Sequence, residues 1–221
     1  MKKKILASLT FSTLILSVAT PTVFAADNTL VTNEADVTLQ PGSGTNVKPV
    51  VDPTGDTDET PETGATGALT IPFASSISFG SQEIQPNDTT YYAQNQRPFV
   101  QVNDTRGDMK GWTLSVSVSE FKGAKNQKPL KGAQLSFMNG KVVTQKNTST
   151  PPTISSERID LNQSFQPVMV AEKGQGAGAW ATLFEGKKGH NEKVKLFVPQ
   201  AGVEAQAYTA SLTWGLTDAP M

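Results

Sequence analysis

The 221 residues contain no cysteine and a single histidine, His190. Without cysteine there is no disulfide, no thiolate metal site and no cysteine to carry an N-terminal lipid. With one histidine, set among lysines, a multi-histidine metal site is excluded by count and a catalytic triad is set aside. No segment has a sustained apolar repeat of helical period, so the crossover helices of a parallel α/β fold are missing. Nor is there a basic stripe with interleaved aromatics, or a Gly-rich phosphate loop ahead of a helix. Nucleic acid and nucleotide ligands are not expected, and no cofactor is implied. Acidic residues are present, but none sits in a recognisable catalytic motif. They read as surface charge, and the chain is not expected to be an enzyme.

One apolar run exists, Ile5 to Ala19, preceded by Lys2, Lys3 and Lys4 and followed by Val23-Phe24-Ala25. It is shorter than the about 20 apolar residues of a membrane span and is broken by Ser and Thr. The arrangement predicts an export signal over 1–25, cleaved after Ala25, with no membrane insertion afterwards. Residues 26–65 then carry eight acids against one base, Lys48. They are rich in Thr, Pro, Gly and Asp and poor in large apolar side chains. That composition predicts an acidic, disordered linker, because too little apolar surface is available to offset the entropy of ordering it. Thr60-Pro61-Glu62-Thr63-Gly64 is close to the Leu-Pro-x-Thr-Gly signal for covalent wall attachment. It has Thr60 where Leu is required and no apolar span with a basic tail behind it, so covalent anchoring is not expected.

The remainder, 66–221, has room for one domain burying about 70% of its unfolded surface. Short β-prone segments, separated by Gly, Pro, Asn or Asp, fall around 68–73, 75–80, 98–103, 112–120, 133–138, 167–172, 178–184, 193–198 and 205–216. This spacing predicts an all-β fold, an antiparallel β-sandwich or a barrel-like single domain. Two of the segments share a pattern. In the first, Trp112, Leu114, Val116 and Val118 alternate with Thr113, Ser115, Ser117 and Ser119. In the second, Leu212, Trp214 and Leu216 alternate with Thr213, Gly215 and Thr217. Each reads as a half-buried strand holding a Trp-x-Leu triplet.

The two triplets in this order, with Val102-Asn103-Asp104-Thr105-Arg106-Gly107 ahead of the first and Tyr208 to Pro220 around the second, resemble the WxL-domain surface proteins of low-GC Gram-positive bacteria. The resemblance covers roughly 66–221. It implies a domain held non-covalently on the cell wall, secreted to the extracellular surface, with peptidoglycan or associated anionic wall polymers as ligand. It also implies a membrane-anchored WxL-interacting protein and other WxL proteins as companions. With no further folded module expected before the domain, this resembles a small member, a subunit of a surface complex.

Trp112, Leu114, Trp214 and Leu216 are therefore either wall-facing or the mark of the fold. Their aliphatic neighbours favour core packing, although an indole can also stack on a sugar ring. Trp180 carries the same ambiguity. Lys187, Lys188, Lys193 and Lys195, in a run expected to form a hairpin tip, are the electrostatic auxiliaries for an anionic polymer. Arg106-Gly107-Asp108 spells an integrin-binding tripeptide but reads first as a turn. The alternative function is a protein-binding module that docks on a membrane-anchored companion or a host matrix protein without touching glycan.

Overall fold

The computed structural model describes residues 32–56 and 61–220. The expected export signal and its cleavage after Ala25 lie outside the described residues. The chain divides into Met1–Thr38, whose described residues 32–38 carry no regular element, and a compact unit, Leu39–Met221. Within that unit no described residue is helical. The strands are β1 (Leu69–Ala74), β2 (Thr89–Ala93), β3 (Phe99–Asp104), β4 (Trp112–Val118), β5 (Lys122–Gly123), β6 (Gln134–Met138), β7 (Lys141–Val143), β8 (Thr153–Ile154), β9 (Arg158–Asp160), β10 (Gln166–Ala171), β11 (Gly178–Leu183), β12 (Asn191–Val198), β13 (Tyr208–Thr209) and β14 (Leu212–Thr217).

They form three four-stranded sheets, β1-β3-β11-β7, β14-β4-β10-β8 and β2-β12-β6-β9, and a two-stranded ribbon, β13-β5. Every named ladder is antiparallel. The all-β, antiparallel expectation holds. Each sheet keeps two edges, so the barrel-like alternative is not adopted. Val100 and Val102 of β3, Leu114 and Val116 of β4, Val168 and Met169 of β10 and Val194 of β12 meet in one core. Alternation does this in β3, β4 and β12, whose polar partners face the other way, whereas β10 brings two consecutive residues to the core beside the register shift between Pro167 and Met169.

The segment 75–80 is not a strand, contrary to expectation. A side chain takes part of the place of a ladder, beside backbone bonds from Ser75 N to Phe99 O and from Gln94 N to Ser78 O. Asn95, which is buried, accepts from Ser78 N at 2.9 Å and donates to Ser76 O at 3.1 Å. Ile77 and Phe79 still pack on the core.

β3 is buried along its whole length, on both faces. The outer face is covered by part of the acidic segment, and the expectation of a linker across 26–65 is narrowed accordingly. Val51 is buried with Phe73, Phe99, Ala181 and Leu183, and Val47 and Val50 pack beside them. Gln101, fully buried, supplies the polar half of the contact. Its Oε1 accepts from Val50 N at 2.8 Å, and its Nε2 donates to Lys48 O at 3.2 Å and to Asn103 Oδ1 at 2.8 Å. Asp56 accepts from the backbone of Gln96 and Arg97, and Arg97 donates to Asp52 O at 2.9 Å. Three valines and a matched set of backbone bonds outweigh an unfavourable composition here, because each buried polar group finds its partner.

Candidate functional site

The two Trp-x-Leu triplets lie side by side. β14 pairs with β4 so that Trp214 stands opposite Val116, Gly215 opposite Ser115 and Leu216 opposite Leu114. Trp112 and Leu114 are fully buried. The Trp112 indole N–H donates to Gly176 O at 3.1 Å, which satisfies the one polar atom of a ring that has no access to solvent. β14 is an edge strand, and its inward side chains are less enclosed. Trp214 and Leu216 are half-buried, with the Trp214 ring parallel to Phe137 at 6.2 Å and 7°. On the outer face of Gly215 lies the ring of Phe165, 3.0 Å from where a Cβ would stand. Trp180 is also in the core, its N–H donating to Ala177 O at 2.9 Å. All four side chains of the triplets pack on one core from two neighbouring strands of the same sheet.

The lysines do not share one hairpin tip. Lys187 and Lys188 lie in the β11–β12 connection, where Lys188 Nζ donates to Gly55 O at 2.7 Å. Lys193 and Lys195 belong to β12. Lys195 Nζ stands 5.8 Å over the Tyr92 ring, and His190 packs against the same ring at 4.2 Å.

A groove of about 1020 Å³ opens between residues 77–84 and 203–212. Phe79, Tyr91, Phe121 and Tyr208 supply its aromatic surface, over an aliphatic floor that includes Leu130 and Leu196. The tyrosine hydroxyls tether the walls: Tyr91 donates to Glu83 O at 3.0 Å, and Tyr208 accepts from Glu204 N at 3.0 Å. Its lining includes Glu83 and Glu204 and no Lys or Arg among the described residues. Sequence reasoning did not find this groove, since its four rings come from segments far apart in the chain.

Arg106 of the integrin-like tripeptide is turned inward. Its guanidinium forks onto Asp104 at 3.0 and 2.8 Å and reaches Gly111 O at 2.8 Å. The hydrogen bonds to Asp104 raise its pKa, against the opposing effect of burial. Asp108 meets Lys110 at 3.2 Å. The tripeptide is thus a structural turn that ties the approach to β4. Among the described residues no group of three or more His, Cys, Asp or Glu is placed to hold a metal.

A family model, WxL domain surface cell wall-binding, matches residues 26–220. The chain belongs to the WxL family. The match takes in the docked acidic segment as well as both triplets, and it locates this WxL protein at the cell wall, on the extracellular surface. The family is one of surface wall-binding domains. Comparisons with curated proteins and with solved structures find no match.

Proposed function

We propose that this WxL protein attaches without a covalent link to peptidoglycan, as one subunit of a surface assembly, and that the groove between 77–84 and 203–212 receives the polymer. The observation that carries this reading is the groove's chemistry: four aromatic rings on pre-tethered walls, amide and carboxylate side chains at the rim, and no cation in its lining. Sugar rings stack an apolar face on aromatics and present hydroxyls to polar rims. The acetamido methyls of N-acetylated sugars suit the aliphatic floor, whereas a polyphosphate would meet Glu83 there, and Glu204, which is paired with Lys128 at 3.1 Å. Trp112 and Leu114, being enclosed, act on binding only through the fold. Retention on a repetitive polymer sums many weak contacts, so it exceeds the affinity of any one of them.

The aliphatic floor also favours a second reading, in which a segment of a membrane-anchored companion or a host matrix protein fills the groove. Sedimentation with insoluble peptidoglycan, before and after acid removal of teichoic acids, separates the two. The expected result is binding that survives stripping, is displaced by soluble N-acetylated oligosaccharides and is lost in a folded Phe121→Ser variant. Failure to bind stripped peptidoglycan sinks the glycan reading and leaves the protein partner.

A further inference from the structure

The sheet β2-β12-β6-β9 has its inner face in the core and the wall of the groove, where Tyr91 and Leu196 point, and an outer face that the proposed function leaves unused. Period-two alternation sends Tyr92, Lys195 and Phe197 to that outer face. Register lines them up: Tyr92, Lys195, Ser136 and Asp160 are successive cross-strand neighbours, and Thr90, Phe197 and Gln134 form the adjacent row. Between them is a recess of about 290 Å³ that Arg158 and Met138 complete. Phe197 is 38% exposed in the middle of a sheet.

We infer that this recess is a second polymer site, one that takes a phosphodiester-linked polyol or sugar chain. The inference rests on the reading that the protein works at the wall, but it uses neither the groove nor its ligand. Charge complementarity supports it. Among the described residues Lys193 and Lys195 make no ion pair, and Glu192 is directed to His190 at 3.7 Å. The Arg158 Nε is held by Asp160 at 2.8 and 3.1 Å, which fixes the guanidinium and leaves its terminal nitrogens for an outside oxyanion. The Asp160 carboxylate is itself engaged, accepting also from Ser136 at 2.6 Å. An ammonium and a guanidinium therefore flank the recess, while the rings of Tyr92 and Phe197 offer apolar cover to the carbon units on either side of a phosphate. The two faces of one sheet thus differ in the side chains that line them: no Lys or Arg in the groove lining, Lys195 and Arg158 in the outer recess.

The test is calorimetric titration of the purified chain with soluble poly(glycerol phosphate), a probe that has no N-acetylated glycan, at low and at physiological salt. Exposed pairs of this kind are weak singly, so Lys195→Gln is expected to reduce affinity about threefold and Lys195→Gln with Arg158→Gln about tenfold. Phe197→Ser should weaken binding while leaving every charge in place. Physiological salt should weaken binding by the parent chain. Phe121→Ser, in the groove, should leave the titration unchanged, so that failure of the glycan reading and failure of this one are distinguishable. No binding by the parent chain, or unaltered binding by the folded double variant, overturns the proposal.

Discussion

Leu216 stands directly opposite Leu114 across the ladder that joins β14 to β4, so the two Trp-x-Leu triplets of the chain are cross-strand neighbours. The motif is one structural unit split between distant parts of the sequence. One half is sealed and the other lies at a sheet edge, and their substitution costs should differ for that reason.

Trp112→Ala removes a fully enclosed indole and orphans the Gly176 carbonyl. A loss of about 3–5 kcal/mol is expected from the lost burial together with the cavity left behind. Trp214→Ala, at a half-buried position stacked on Phe137, should cost about half as much. Urea unfolding of both variants measures this, and equal losses would contradict the assignment of Trp112 as the more enclosed residue.

Gly176 lies at φ 72°. A Cβ there would stand 2.4 Å from the Ala171 Cβ and 2.7 Å from the Trp112 Nε1. Gly176→Ala is therefore expected to destabilise by about 2 kcal/mol through both backbone strain and overpacking. Its signature should be a changed near-ultraviolet spectrum from the displaced Trp112. Unaltered stability would mean that the loop moves aside freely.

Where the polarity of side chains alternates, as in β3, β4 and β12, or where a short apolar run is bounded by turn residues, as in β10 and β11, the fold was legible, and all five fall near their expected places. β2 was missed because Thr89-Thr90-Tyr91-Tyr92 shows no alternation in polarity, although Tyr91 lines the groove and Tyr92 the opposite face. The docking of Val51 was hidden for another reason. It depends on Gln101, a polar residue that looks like a surface position until the backbone of Val50 and Lys48 comes to meet it. The lysine run was visible, but the partner that gives Lys195 meaning, Tyr92, is placed by register across a hundred residues of intervening chain. The groove has the same origin. Long-range pairing, and not local pattern, assembles both candidate surfaces.

Gln101 and Val51 predict how the acidic segment behaves. Val51→Asp would bury an unpaired carboxylate against Phe73 and Phe99 and should release the segment while the sheets stay folded. Limited proteolysis is expected to cut near residues 47–56 in that variant well before the parent chain, with the thermal transition of the sheets retained. Cleavage at the same rate in both would show that the segment is loose without the substitution.

Asp160 gives a pH dependence whose sign can be worked out. Burial acts to raise its pKa, but the hydrogen bonds from Ser136 and Arg158 and the Arg158 charge outweigh it, so the carboxyl lies below its ordinary value. A folded-state pKa below the unfolded one contributes stability that is fully present above about pH 4 and lost as the pH falls through the folded value. The side chain is half-exposed, so solvent screening keeps the contribution small. Thermal unfolding of the parent chain and of a Ser136→Ala, Arg158→Gln variant, followed from about pH 5 down to about pH 2.5, should therefore show the parent losing its advantage as the acid limb is entered, with the two curves converging at the lowest pH. Curves that stay parallel through that range would mean that Asp160 is not held by these two partners in solution, and would also remove the anchor that orients Arg158 on the outer face of the sheet.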